Sequence, residues 1–421
     1  MSPSIDCAQA SSASGLGTVA RLRSWWQADS LSRQFWIFFI AAFFFDLGIS
    51  LYFFLFNLFL LNLRFDERMM GLVTGALTLG NVVGTVPVGF LARRFGLQKL
   101  LLFCFIALPF ISIFRTVVAS LPAQIGLAFI AGMALSCWPV CFAPAVASLT
   151  TESNRVFAFS IVFATGIGTG TLAGLAGGSL PHLLLRDHPA DGIRLVLIGA
   201  SLLTCLGIWP ILRLRLGSPP KIERNRRPPV HPFLLRFLPP FAIWSIVTGS
   251  FIPFAPVFFQ KHLGISLQHV GLIFSASQFA QFCAVLIMPL LFRGVGTQAR
   301  IIGTQVVGAA AVFALGISHT ASYAVVCYLV YTAVQFSAGP GFYGMLMSRT
   351  PEEDRSTSSA IQNVVGSLAA AGSAALTGAL VVRYGYSLVF NLNAILAGLV
   401  VLLVCVCFGR SSTWQPMQSS L

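Results

Sequence analysis

The chain has 421 residues, of which 56% are hydrophobic and only 9% are charged, and its mean hydropathy is +0.84. Soluble globular proteins carry about 25% charged residues, so this composition excludes an ordinary soluble protein and indicates an integral membrane protein. The formal net charge of +14 would suit nucleic-acid binding, but the basic residues lie in short segments between apolar runs, where they orient a membrane protein instead. The nine cysteines show no zinc-ligand spacing, and we expect neither a metal nor a cofactor.

Apolar runs that are long enough to cross a bilayer as helices account for most of the chain. The first six are predicted at residues 35–63, 70–91, 99–119, 122–149, 156–181 and 194–212, and the second six at 237–260, 269–292, 299–318, 321–347, 358–382 and 387–408. They define two predicted six-helix bundles, 35–212 and 237–408. The sequence therefore predicts an all-α integral membrane protein with twelve transmembrane helices and no soluble domain.

Three polar segments flank the bundles. Residues 1–34 are predicted to be a tail, in which Arg21–Gln34 combines arginine with Trp25 and Trp26 and is typical of a helix at the membrane interface; a disordered basic tail is the alternative. Residues 213–236, rich in Pro and Arg, are predicted to be a basic linker, and residues 409–421 a second tail. Since most of the 26 Lys and Arg residues lie in these segments and in the loops on the same side, we expect both termini to be cytoplasmic.

The two halves are related by an internal repeat. A shift of about 200 residues aligns small, basic and polar residues without gaps. The matched pairs include Gly71 with Gly271, Arg93 with Arg293, Gly96 with Gly296, Gln98 with Gln298, and Gly166 with Gly366. Two six-helix units in the same orientation, joined by a cytoplasmic linker, are the plan of many secondary transporters.

The loop after the second run carries a motif, which reads Gly89-FLARRFGLQ-Lys99. This loop resembles the signature loop of the major facilitator superfamily, with matches at Gly89, Arg93, Arg94, Gly96 and Lys99. The twelve runs, the linker and the repeat extend the resemblance to the whole chain. The Asp of that motif is absent, because Ala92 occupies the nearest position. The resemblance implies a 6+6 helical fold and a loop that latches the halves together, with a weakened or differently wired latch here. Plain anchoring by positive charge is the alternative for the two arginines.

Asp46 is the one acidic residue that lies well inside a predicted helix, since the other acids fall in loops, tails or at the ends of runs. Placing a charge at that depth costs at least ~2.5–3.5 kcal/mol, which makes the residue a functional candidate by default. Its repeat counterpart is Ile246, so the charge is not a symmetric structural feature. We expect Asp46 to load and release a proton, or to bind a cationic solute or sodium. The alternative is a protonated carboxyl group that is hydrogen-bonded to a neighbouring helix.

Polar and aromatic residues inside the runs are the candidates for a substrate cavity. Ser50, Phe53 and Asn57 follow Asp46 at helical spacing and share its face. The superfamily resemblance implies a cavity lined by the first, fourth, seventh and tenth helices. The further candidates are Trp138, Trp244, Thr248, Gln278, Gln281, Tyr331 and Gln335. For the stripe Thr74–Thr85 on the second run we expect hydrogen bonds between helices.

Two features bear on the kind of transporter. The segment Gly170–Gly178 loosely resembles the glycine-rich motif of proton-coupled drug exporters, but Leu175 stands where that motif has Pro, and ordinary helix packing is the alternative. Those exporters also carry an Arg four residues before a Gly of the fourth helix, and here Ala128 precedes Gly132 at that spacing. Antiport of that specific type is therefore not supported.

The sequence predicts a secondary transporter that works by alternating access. With an embedded acid and no buried base found, the solute is expected to be neutral or cationic and, given the abundant aromatics, amphiphilic. Proton-coupled export is the first hypothesis, and proton- or sodium-coupled uptake of a neutral sugar or nucleoside is the alternative. A non-transporting membrane sensor is a remote alternative, and an enzyme is excluded because the runs contain no catalytic constellation. We expect a monomer among lipids of a bacterial inner membrane, without nucleic acid as a partner.

Overall fold

The computed structural model describes residues 31–151, 154–185, 189–216, 232–291, 296–318, 320–350 and 354–408. In these ranges the chain forms helices and no strands, and twelve helices are long and apolar enough to cross a membrane. The predicted interfacial segment, most of the basic linker and the C-terminal tail lie outside the described residues.

All twelve predicted spans are confirmed, with their ends moved by a few residues. The N-terminal bundle contains α1 (Arg33–Asn62), α2 (Glu67–Phe95), α3 (Leu97–Val117), α4 (Leu121–Leu149), α5 (Arg155–Leu184) and α6 (Ala190–Arg213). The C-terminal bundle contains α7 (Pro232–His262), α8 (Leu267–Leu291), α9 (Thr297–Gly316), α10 (Ala321–Arg349), α11 (Arg355–Tyr384) and α12 (Tyr386–Phe408).

Local sequence signals set several helix ends. The Ser32 hydroxyl accepts a hydrogen bond from the backbone N–H of Phe35 at 3.1 Å and caps the start of α1. Asp66 caps α2 in the same way, accepting from the backbone N–H of Met69 at 2.8 Å. Gly96, with φ +89°, makes the sharp turn between α2 and α3, a conformation that costs other residues free energy.

Some spans are interrupted, which hydropathy alone does not predict. The interruptions lie at Ser136 in α4, at Leu206 and Gly207 in α6, and after Phe251 in α7, which continues through short irregular turns to His262. A proline follows closely in each case: Pro139, Pro210 and Pro253. Because proline lacks a backbone N–H, it removes a helical hydrogen bond and leaves a carbonyl group in need of another partner.

The repeat is visible in the helix contacts between the two halves. Gly71 of α2 packs against Ala374 and Gly378 of α11, and Gly271 of α8 packs against Gly174 and Gly178 of α5. Each residue of the first contact has its counterpart in the second after a shift of about 200 positions, as the parallel repeat predicts. Two seams, α2–α11 and α5–α8, therefore join the halves. Small residues at such seams allow the backbones to approach closely.

The hydrophobic core is continuous at one end of the molecule and divided at the other. We call the end that carries Arg213 and Pro232 the linker end, and the opposite end, with Asn62 and Glu67, the distal end. Toward the distal end a single cluster includes residues of both halves, such as Leu55, Phe59, Phe251, Phe254 and Tyr328. Toward the linker end each half has its own cluster, one around Phe38, Phe45 and Phe105 and one around Phe237, Phe342 and Met345. The halves thus share one core at the distal end and have separate cores toward the linker end. We call the space between these separate cores the gap.

Candidate functional site

Side chains of both halves meet at the distal end. The Asn57 amide donates a hydrogen bond to the Pro253 carbonyl oxygen at 2.7 Å, which uses the acceptor exposed by the irregular part of α7. The rings of Phe54 and Phe274 lie 4.9 Å apart. These contacts join α1 to α7 and α8, so they close the distal side of the gap between the halves. Asn57 therefore lies in the distal contact between the halves in this conformation, whereas the sequence had placed it in the cavity.

An ion pair crosses the same closure. The Lys261 Nζ atom lies 2.8 Å from both carboxylate oxygens of Glu67. The Glu67 side chain is 3% exposed and that of Lys261 is 42% exposed. The sequence pattern placed Glu67 in a loop or at the end of a run, and the structure shows it as a nearly buried acid that is paired with a lysine of the other half.

Asp46 lies in α1 beside α5, at the level where the distal seal gives way to the gap. A Cβ atom added to Gly166 of α5 would lie 3.7 Å from the Asp46 Oδ2 atom. Within the part of the chain that the structure describes, the Asp46 carboxylate makes no hydrogen bond and no ion pair, so the alternative of a bond to a neighbouring helix finds no support there. A carboxyl group so placed can exchange a proton or bind a cation without first breaking another contact.

Two further predicted residues share the Asp46 face. Ser50 is half-buried, and Phe53 is 45% exposed, which is unusual for a large ring in the middle of α1. Trp138 of α4 behaves differently, because it stacks on Phe45 with ring centroids 4.3 Å apart and joins the aromatic core of the N-terminal half. Trp138 therefore supports the helix segment that carries Asp46.

In the C-terminal half, a polar network lies around Trp244 of α7. The Trp244 indole N–H donates to the Gln335 Oε1 atom at 3.0 Å, and the Gln305 amide donates to the same oxygen at 3.2 Å. Thr248, one turn further along α7, donates to the Trp244 carbonyl oxygen at 3.2 Å. Trp244 and Thr248 are half-buried, so they can face the gap while Gln335 orients the indole from behind.

Two residues predicted to line the cavity do not do so in this conformation. Tyr331 is 0% exposed, and its hydroxyl donates to the Val247 carbonyl oxygen at 3.0 Å. Gln335 is also fully buried. Helical periodicity placed both on an inward face of α10, but α7 and α9 cover that face. They fix the helices behind the cavity wall.

The predicted glutamines of α8 lie at the seam with α5. The Gln278 amide group fills the notch left by Gly170, in the space that a Cβ atom would occupy. One turn away, the Ser275 hydroxyl donates to the Thr171 carbonyl oxygen of α5 at 2.7 Å, which fixes the register of the seam. Gln281 is half-buried, one turn closer to the linker end.

The signature-loop residues lie at the linker end and contact their own helix. Arg93 donates to the Gly89 carbonyl oxygen at 3.3 Å and stands over the Phe90 ring at 5.0 Å. Arg94 stands over the Phe95 ring at 5.5 Å, and Lys99 is exposed. In the described residues none of these cations forms an ion pair with the C-terminal half. The loop therefore does not latch the described parts of the two halves together in this conformation.

The threonine stripe of α2 differs from the prediction. The Thr78 hydroxyl donates to the Thr74 carbonyl oxygen at 3.1 Å, and the Thr85 hydroxyl to the Asn81 carbonyl oxygen at 2.8 Å. Both bonds lie within the helix, so the expected hydrogen bonds between helices are wrong for these two hydroxyls. A threonine hydroxyl can reach the carbonyl group one turn earlier in its own helix, and this local bond competes with any partner on another helix.

Arg115 is a buried cation, which its position near the external end of a predicted span did not indicate. It lies in the last turn of α3 and is 2% exposed. Its Nε donates to the Gln124 Oε1 atom at 3.3 Å, and its guanidinium stands 4.0 Å from the Phe56 ring centroid. The Gln124 amide in turn donates to the carbonyl oxygens of Arg115 and Val118. This arrangement ties α3 to α4 near the distal end and explains how a basic residue is retained there without an acid.

The match to known families agrees with this architecture. A family model of the Major Facilitator Superfamily matches residues 38–374. The chain belongs to the Major Facilitator Superfamily. The predicted 6+6 helical fold is that of the superfamily, and the transporter class follows from membership. No curated protein sequence matches the chain.

Solved structures of other superfamily members share the fold at low sequence identity. A variant of the nucleoside transporter NupG has a TM-score of 0.75 and 14% identity, covering 89% of this chain and 100% of its own. A bacterial homologue of the human lysosomal transporter Spinster, in an inward-facing and occupied conformation, has a TM-score of 0.73 and 13% identity. That match covers 91% of this chain and 98% of the homologue. The D-xylose-proton symporter has a TM-score of 0.70 and 15% identity, and the match covers 88% of this chain and 96% of the symporter. At these identities the likeness extends to the fold alone.

Proposed function

We propose that this superfamily member is a proton-coupled secondary transporter in which Asp46 is the coupling or cation-binding residue. The observation that carries the proposal is the position of this carboxylate, unpaired in the described residues, beside the gap between the halves. Alternating access requires a group that changes its ligand when the halves rock, and an acid free of internal contacts meets that requirement. Sodium is the alternative ion, since it binds carboxylate oxygens as well.

For the solute, we propose a small amphiphilic compound that is cationic or neutral and is exported. The carboxylate of Asp46 favours a cation, and Phe53 and Trp244 offer aromatic surface to it. Arg115 does not change this expectation, because it is engaged with Gln124 and Phe56 near the distal end of α3. If the linker end is cytoplasmic, as the positive-inside rule indicates, the gap opens to the cytoplasm in this conformation.

Uptake of a neutral nutrient is the second candidate function. Gln278 and Gln281 present amide groups near the gap, and amides suit hydroxyl-rich solutes such as sugars and nucleosides. The nucleoside transporter and the xylose symporter share the fold and add to this alternative. In either case we propose a monomer in a bacterial inner membrane, surrounded by lipid.

Substitution of Asp46 tests the coupling role. In proteoliposomes, Asp46→Asn should abolish solute-driven proton movement while the protein stays folded, and Asp46→Glu should retain part of it. Asp191→Asn, which removes an exposed acid at the distal end, is the matched control and should behave as wild type. An Asp46→Asn protein that transports with unchanged rate and pH dependence would rule out the coupling role. Thermal stabilisation by lipophilic cations, or instead by sugars and nucleosides, separates the two solute classes.

A further inference from the structure

Helix α5 brings together one unpaired polar group from each half of the protein. Asp46 of α1 faces Gly166, and the amide of Gln278 of α8 fills the notch at Gly170. In an α-helix these two glycines are one turn apart, which is a rise of about 6 Å. The carboxylate and the amide therefore lie along one face of α5, about one helical turn apart.

Neither side chain has a competing partner. Among the described residues, Gln278 makes no hydrogen bond, and the same holds for Asp46. The nearby hydroxyl of Ser275 is already engaged with the Thr171 carbonyl oxygen. A half-buried amide and a half-buried carboxylate without protein partners keep free hydrogen-bonding capacity, and a ligand that contacts both can use it.

The charges near this pair select the chemistry of the ligand. The basic residue of α1 is Arg33, and those of α5 are Arg155 and His182. Both arginines lie in the first turn of their helix, at the linker end. The described part of α8 carries His269 in its first turn and no Lys or Arg. An anion would thus meet the Asp46 carboxylate without a compensating cation, whereas an ammonium group would be attracted.

We propose that Asp46, Gln278 and the bare backbone at Gly166 form a subsite for a protonated amine. The ammonium group donates one hydrogen bond to the Asp46 carboxylate and another to the Gln278 Oε1 atom, and Gly166 leaves room for it beside the carboxylate. This subsite rests on the proposed function and specifies its substrate class. Since Asp46 belongs to one half and Gln278 to the other, rocking of the halves separates the two ligands of the amine and weakens its binding. The subsite thereby links solute release to the conformational change.

Three small probes of the same size class separate charge from hydrogen bonding. Benzylamine carries a charge and N–H donors, benzyltrimethylammonium carries a charge without donors, and benzyl alcohol carries a donor without charge. Binding of each to the purified full-length protein is measured by calorimetry, with thermal stabilisation as a second readout. Wild type should bind benzylamine at least ~10-fold more tightly than either of the other probes, because charge-assisted hydrogen bonds are the strong ones.

The variants then assign each contact. Asp46→Asn should weaken both charged probes by about 10-fold or more, while Gln278→Leu should weaken benzylamine several-fold and leave benzyltrimethylammonium unchanged. Gly166→Ala should weaken benzylamine, because the added methyl group would stand 3.7 Å from the Asp46 Oδ2 atom. Gly168→Ala is the matched control on the opposite side of α5, where a methyl group meets open space. Gln278→Ala replaces Gln278→Leu if the latter does not fold.

Equal binding of benzylamine to wild type and Gln278→Leu would overturn the subsite, as would equal binding of the three probes to wild type. Neither result touches proton coupling, which is measured by the Asp46→Asn proton flux. Conversely, loss of the coupling role with benzylamine binding intact would leave the amine subsite standing. The two proposals therefore fail separately.

Discussion

Replacing Lys261 by Met should open the distal end of the transporter, and replacing Glu67 by Gln should open it less. The two substitutions break the same ion pair but leave different groups behind. Lys261→Met leaves a carboxylate that is 3% exposed, whereas Glu67→Gln leaves an ammonium group that is 42% exposed and can be hydrated where it is. An unpaired buried charge is much more costly than an unpaired exposed one.

The magnitude follows from this intermediate burial. Removing one partner of a fully buried pair costs ~3–5 kcal/mol, and exposed pairs contribute ~0–1 kcal/mol. For Lys261→Met we expect about 2 kcal/mol in favour of the distal-open state, a shift of about 30-fold in the conformational equilibrium. For Glu67→Gln we expect about 1 kcal/mol, or about 5-fold. In the double variant neither charge remains, and its shift should be smaller than that of Lys261→Met.

Double electron–electron resonance measures the distance between two spin labels and therefore the opening. The labels are placed at Asn62 and Gln268 in a variant without native cysteines. Both positions are exposed at the distal end, one on each half. Lys261→Met should add a population at longer distance, and Arg68→Met, which removes an exposed cation next to Glu67, should not. Equal shifts in the two single variants, or no new population in Lys261→Met, would refute the reasoning from burial.

Three further substitutions test the helix contacts. Gly271→Ala puts a methyl group against the backbone of α5 and should open the α5–α8 seam, because overpacking costs about 1–3 kcal/mol. The same spin labels should report a longer distance. Gly199→Ala, where the methyl group meets open space, is the control and should change nothing. Gly96→Ala places a side chain at φ +89° and should lower the melting temperature in detergent by the equivalent of about 1–2 kcal/mol. Gln124→Leu removes three hydrogen bonds and strands the guanidinium, so it should lower the melting temperature more than Arg115→Met does; the reverse order would contradict the role assigned to Gln124.

The sequence was sufficient for the twelve spans because a bilayer imposes them directly, and for the repeat because matched residues recur at a fixed shift along the chain. A helix must hide its backbone from lipid over a fixed length, so apolar runs and basic loops locate it. The breaks in α4, α6 and α7 were not predicted, since hydropathy does not register a missing N–H and since prolines also lie inside uninterrupted helices, as Pro109 in α3 and Pro340 in α10 do. Asp46 was found for the same reason as the spans, as a charge where lipid tolerates none.

The site beyond Asp46 could be predicted only in part, because it depends on how the halves meet. Glu67 and Lys261 are 194 positions apart, and each reads as an ordinary residue at a helix end. Helical spacing identified the polar faces of α7, α8 and α10, but it does not reveal which neighbour covers them. That is why Trp244 and Gln278 lie near the gap while Tyr331 is buried behind it.

The two glycine seams have a consequence for how the protein moves. Gly71 and Gly271 contact backbone atoms of the other half, so at these two positions no side chain can rotate out of the way and let the contact loosen gradually. When the distal end opens, both seams must part together, and each half turns as a solid piece. The glycine contact that must part during opening is thus present once in each half of the repeat, whereas Asp46 has no counterpart in the second half. A substitution that weakens one seam would make the opening asymmetric, because the intact seam would act as a pivot. The solute would then leave beside the weakened seam only.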